Sequence, residues 1–115
     1  MKIKTVDIPI YFGFLRIVIA KDFEKALSRI GTKFPDLKPN SYDGFAFPDK
    51  TKKGYNRYTV FLKPKSTPSV IAHEVVHLVN ALYIDSGMQL DRHNDEHQAY
   101  ISGWLTRQIF KVLRR

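Results

Sequence analysis

Thr67-Pro68-Ser69-Val70-Ile71-Ala72-His73-Glu74-Val75-Val76-His77-Leu78-Val79-Asn80-Ala81-Leu82 decides how this chain is read. Thr67 suits a helix N-cap and Pro68 the first helical position. The helix is expected to run to about Ser86, where Gly87 stops it. Most of its residues are apolar, and a helix apolar nearly all round is a buried one. Polar groups buried on it need partners. His73 and His77 are four residues apart, one turn along one face, so their ring nitrogens can converge on a single ion. Glu74 is offset by one residue and can reach a water on that ion without ligating it. This is the physical content of the HExxH pattern. Three fixed positions match by chance in roughly a few per thousand chains of this length, so the helical context carries much of the weight. The bland alternative is a pair of core histidines bonded to backbone or carboxylate.

A third ligand must come from elsewhere. Asp91, His93, Asp95, Glu96 and His97 are the candidates. A second helix opens near Asn94, an N-cap residue, with Asp95 and Glu96 in a first turn that favours negative charge. It continues to about Leu113. Glu96, Tyr100 and Gly103 share one of its faces, and Gly103 and Ala99 would let the two helices approach closely. Glu96 is the first choice and His93 the second. Asp95 and His97 read as cap and surface. Asn80, three residues past His77, can orient a ligand or sit in solvent.

Working back towards Met1, residues 3–19 are rich in Ile, Val, Tyr and Phe and broken at Gly13, which predicts a hairpin of strands over 4–10 and 14–19. Asp22 caps a short helix through Ile30, with Gly31 ending it. Residues 34–55 carry prolines, Gly, Asn, Asp and lysines and read as loop, with a short strand around Phe45–Phe47. Tyr58-Thr59-Val60-Phe61-Leu62 is a strand closed by Pro64. The expected order is strand, strand, helix, strand, strand, helix, helix, in a single domain over 1–115.

The chain has 115 residues, 43% of them hydrophobic, enough for one core. It has no cysteine, which excludes disulfides and thiolate zinc sites, so any metal must be held by imidazole and carboxylate. The net charge of +8 favours acidic partners. The basic residues are spread out, densest at Lys50, Lys52, Lys53, Arg57 and at Arg107, Lys111, Arg114, Arg115, so at most a weak nucleic-acid contact is expected. Met1–Asp7 does not read as a signal peptide. No run of about eighteen apolar residues exists, so no membrane partner is expected and a cytoplasmic location is the simplest reading.

His73-Glu74-Val75-Val76-His77 followed by Glu96 resembles the gluzincin pattern of HExxH, a spacer and a glutamate on the next helix. More closely, His73–Asn80, then Asn94-Asp95-Glu96 and Ala99-Tyr100-Ile101-Ser102-Gly103-Trp104, resembles small phage and prophage zinc metallopeptidases. The Asn94–Tyr100 stretch departs by one residue from their spacing, and the likeness covers residues 70–105. It implies an α+β fold, a minimal zincin-like domain with a small, mainly antiparallel sheet packed on the HExxH helix and a following glutamate-bearing helix. It implies Zn2+ on His73, His77 and Glu96, Glu74 as general base, and a peptide or protein substrate in the host cytoplasm. In zincins an edge strand beside the active helix receives the substrate, a place that 57–62 would fill. Zincins often have an Asp four residues past the ligand Glu. Tyr100 stands there instead, and can stabilise an oxyanion. Two rival readings are a catalytically silent zinc-binding interaction or inhibitor protein, and a SprT-like nucleic-acid-associated protease using His93.

Overall fold

A computed structural model of the chain describes residues 1–32 and 38–115. Part of the stretch read as loop, 34–37, lies outside the described residues. The elements are β1 (Lys2–Ile8), β2 (Gly13–Ile19), α1 (Phe23–Ile30), a 3₁₀ turn at Pro39–Ser41, β3 (Gly44–Lys50), β4 (Asn56–Leu62), α2 (Pro68–Asp85) and α3 (Glu96–Leu113). The strands form one sheet in the order β1-β2-β4-β3.

The sheet is mixed. β1 and β2 form the expected antiparallel hairpin, in which Ile8 pairs with Gly13. β1 sits two residues earlier than 4–10, and β2 starts one residue earlier than 14, because Pro9–Phe12 make the turn, with Ile10 and Phe12 at positive φ. β3 and β4 are antiparallel, but β2 and β4 run parallel, Gly13 opposite Asn56 through Ile19 opposite Leu62. Such a pairing needs a long crossover, and α1 with β3 provides it.

Strand composition explains the order. β2 and β4 are nearly continuous apolar runs, buried on both faces from Leu15 to Ile19 and from Tyr58 to Leu62, as interior strands are. β1 alternates charged and apolar residues and lies at one edge. β3 contains Pro48, which an edge strand tolerates because it lacks an N–H, and lies at the other. Two expectations are corrected here. The strand at 57–62 is interior, with both of its edges already paired, and cannot accept an added strand. The edge strand near the HExxH helix is β3, seven residues long rather than the short Phe45–Phe47 piece.

Each face of the sheet has its own core. Leu15, Ile17, Ile19, Tyr58, Val60 and Leu62 pack against α2 and α3 through Ile71, Val75, Leu78, Leu82, Ile101, Leu105 and Ile109. On the other face Val18, Phe45 and Phe61 meet Phe23, Ala26 and Leu27 of α1. Phe45 and Phe61 stack at 4.7 Å, with Phe23 edge-on to both. α1 is capped as expected, Asp22 accepting from the Lys25 N–H and Gly31 left-handed at its end. α2 lies over β3 and β4, and α3 lies against β1 and β2.

α2 starts as the sequence implies, with the Thr67 side chain accepting from the Val70 N–H. It is not buried all round, however. Ile71, Glu74, Val75, Leu78, Val79, Leu82 and Tyr83 form its buried stripe, while Ala72, His73, Val76 and His77 face outward. Asp95, not Asn94, stands at the N-cap position of α3, without a side-chain capping bond, and the helix buries Ile101, Leu105, Ile109 and Val112. Gly103 is exposed, and a Cβ there would meet nothing within 4 Å. Ala99 is exposed as well. The helices therefore meet through branched side chains, not through small residues, because the 96–100–103 face points to solvent. No described helix is long and apolar enough to cross a membrane.

Candidate metal centre

The second and third turns of α2 carry the cluster. Nε2 of His73 and Nε2 of His77 stand 3.2 Å apart with ring centroids at 4.9 Å. Two ligands on one tetrahedral zinc, with Zn–N of about 2.0–2.1 Å, are separated by about 3.3 Å, so the pair matches the edge of such a tetrahedron. The same separation lets one neutral ring donate to the other. Ligand atoms of His73, Glu74 and His77 all fall within 4.8 Å of one another.

Burial divides the three. Both imidazoles are exposed, and Glu74 is 4% exposed. His73 and His77 can therefore bond to water, and Glu74 is the buried polar group that requires a partner. One carboxylate oxygen, Oε2, is 4.0 Å from His73 Nε2. The other, Oε1, is buried with no hydrogen-bond partner among the described residues. Burial pushes the Glu74 carboxyl above the usual carboxylate range, and His73 and then His77 pull it back in part. A carboxyl so placed is held ready to accept a proton.

Asp43, Gly44, Ser69, Val70, His73 and Glu74 line a cavity of about 270 Å³ between the start of β3 and the first turns of α2. Gly44 permits this approach. A Cβ there would sit 3.0 Å from the Phe61 carbonyl oxygen and 3.3 Å from Val70 Cγ1. Asp43 and Gly44 escaped sequence reasoning because they lie in a stretch read as loop. The available signal was an Asp-Gly pair leading into an aromatic strand.

The remaining candidates stand apart from the cluster. Among the described residues Glu96 and His93 do not belong to the group whose ligand atoms converge. Glu96 is the first residue of α3 and is exposed. Its neighbour His97 hydrogen-bonds the Tyr11 hydroxyl and lies 6.2 Å, ring to ring, from Tyr83. Six residues separate His77 from Tyr83, about 9 Å along a helix, so α3 begins beside the far half of α2. His93 is exposed, its N–H bonded to the Asp91 carboxylate. Tyr100 is 64% exposed. Asn80 is half-buried.

The donor set suits zinc: two imidazoles with oxygen donors nearby, and no thiolate. The orphaned Glu74 oxygen and the 3.2 Å imidazole pair are the two features an ion with its water would satisfy. No protein-family model, no curated protein and no solved structure matches the chain.

Proposed function

We propose that this chain is a zinc-dependent metallopeptidase of the small phage type that its sequence resembles. His73 and His77 would hold the ion, Glu96 would complete the set, and Glu74 would be the general base. One observation carries the reading: an imidazole pair at ligand spacing with a buried, half-unpartnered carboxyl directly beside it. Glu96 is the ligand that the resemblance, not the geometry, supplies.

A zinc ion in that place would supply Lewis acidity, bringing the pKa of a water towards 7 and polarising a carbonyl. The chain's own residues do the rest. Glu74 takes a proton from the attacking water and returns it to the leaving amine, tasks suited to a carboxyl whose proton affinity burial has raised. β3, the edge strand of the sheet among the described residues, starts at the cavity at Gly44 and is proposed as the strand along which an extended peptide would lie. Tyr100, exposed on α3, is proposed to approach the substrate oxyanion only once Glu96 joins the ion.

The test is zinc content and cleavage of a peptide library by Glu74→Gln, Glu96→Ala and His93→Ala. The reading expects Glu74→Gln to keep zinc and lose cleavage, and Glu96→Ala to lose zinc. Zinc lost in His93→Ala but kept in Glu96→Ala supports the SprT-like reading instead. Zinc bound with no cleavage by the unaltered chain supports a silent interaction or inhibitor protein.

A further inference from the structure

At the end of the sheet away from the histidine pair, two loops lie side by side. The parallel register that sets Gly13 opposite Asn56 brings the β1–β2 turn against the β3–β4 turn. The first turn projects Ile10, 73% exposed, and Phe12, 92% exposed. Both have positive φ, 76° and 44°, and they are the only such non-glycine residues among those described. A β-branched residue rarely adopts that conformation, and such strain is associated with functional positions. The backbone strain holds two large apolar side chains out in water, where neither contributes to the core. Tyr55, also exposed, edges onto Phe14 at 6.1 Å. Together with Ile8, Ile10, Phe12 and Asp7 these rings line a mainly apolar hollow of about 450 Å³.

The neighbouring turn is basic. Lys50, Lys52 and Lys53 are exposed, Lys50 braced by a hydrogen bond to Asn56. Asp49 does not offset them, because Arg57 holds it in a two-bond pair at 2.8 Å. Among the described residues, Asp7 is the acidic side chain that lines this hollow.

The geometry points to a lipid-docking tip, at which Ile10 and Phe12 enter the interfacial layer of an anionic bilayer while Lys50, Lys52 and Lys53 rest on its headgroups. Ile10 and Phe12 stand exposed on a turn at the end of the sheet, beside the hollow, which leaves both side chains accessible for insertion. An isoleucine beside the phenylalanine favours acyl chains over stacked bases. Among the described residues the charge beside the tip is mainly basic, Lys50, Lys52 and Lys53 against Asp7, and this favours an anionic surface. This is a contact with a membrane face, not a crossing, and it departs from the expectation of no membrane partner, which rested on the lack of a spanning segment. It is independent of the metal centre, which lies at the Gly44 end of β3.

Co-sedimentation of the full chain with vesicles of phosphatidylcholine alone, and of phosphatidylcholine and phosphatidylglycerol in equal parts, tests it. Binding to the second kind is expected, weakening as salt is raised. Ile10→Ser and Phe12→Ser should each weaken it at least about tenfold. Because Phe12 touches no core, its melting temperature should not fall. Lys52→Glu with Lys53→Glu should remove the preference for anionic vesicles. In Phe12→Trp, fluorescence should shift to the blue on vesicle addition. Absence of vesicle binding, or equal binding by all variants, overturns the proposal. So does an effect of these substitutions on single-stranded oligonucleotide binding or on self-association with no effect on vesicles.

Discussion

Glu74 Oε2 lies 4.0 Å from His73 Nε2 across the boundary between core and solvent: the histidine side chain is 67% exposed and that of its chain neighbour 5%. Adjacent helix residues point about 100° apart, so one helix can present the imidazole pair to solvent while the carboxyl between them is sunk against the sheet.

That division predicts opposite effects on activity and stability at Glu74. Burying a carboxyl with an unpartnered oxygen costs about 1–3 kcal/mol. Glu74→Leu should therefore raise the stability of the metal-free protein in urea denaturation by up to about that amount. Glu74→Gln should lower any peptide cleavage by at least about a hundredfold. A metal-free Glu74→Leu protein clearly less stable than the parent would show that the carboxyl has partners in solution.

Gly44 sets the distance between β3 and the first turns of α2. Gly44→Ala places a methyl 3.0 Å from the Phe61 carbonyl oxygen and 3.3 Å from Val70. Since the first of these is backbone of β4, the paired strands must shift against each other, at about 1–3 kcal/mol. Chemical denaturation should show this loss, and zinc affinity should stay within a few-fold because His73 and His77 share one helix. A large loss of zinc affinity would mean that the start of β3 takes part in binding.

Tyr58 is buried under α2 and donates a 2.6 Å hydrogen bond to Asp85. Burial, then that bond, pushes its hydroxyl well above the ordinary tyrosine range. Below about pH 10 both folded and unfolded chains keep this proton, and its contribution to stability is complete. Above it the unfolded chain ionises first, so stability declines as pH rises towards the folded value. Tyr58→Phe should cost about 0.5–1.5 kcal/mol at neutral pH and flatten the alkaline decline. Urea melts at neutral and alkaline pH measure both, and an unchanged alkaline slope would count against the assignment.

Leu105 is fully buried between α3 and the sheet, in the core it shares with α2. Leu105→Ala should destabilise by about 2–5 kcal/mol, whereas Tyr100→Ala, on the exposed face, should stay within about 0.5 kcal/mol. Thermal melts of the two variants compare the faces directly. The reverse ranking would place the 96–100–103 face at the helix contact after all.

How much of this was legible in the sequence depends on whether the deciding signal was local. Asp22, Gly31, Thr67 and Pro68 act through hydrogen bonds and dihedrals within a few residues, and they marked the helix ends correctly. Non-local placement was harder. Composition showed that Tyr58–Leu62 is a strand, but the parallel partner that makes β4 interior lies some forty residues away. β3 was masked by its proline and glycine, which read as loop until its edge position is known. On α2, many valines and leucines hid which side is wet, and only the packing of α3 over the same sheet face settles it. The His73, Glu74, His77 group was legible because the helix itself brings those residues together. Glu96 was not, because its position depends on how the 86–95 connection folds.

The central claim is that His73 and His77 grip one divalent ion. Its most direct test is elemental analysis of the purified chain after dialysis against zinc and then against buffer, alongside His73→Ala and His77→Ala. The account predicts about one zinc per chain in the parent and none in either variant. A parent that emerges free of zinc, or variants that retain it in full, would contradict the claim.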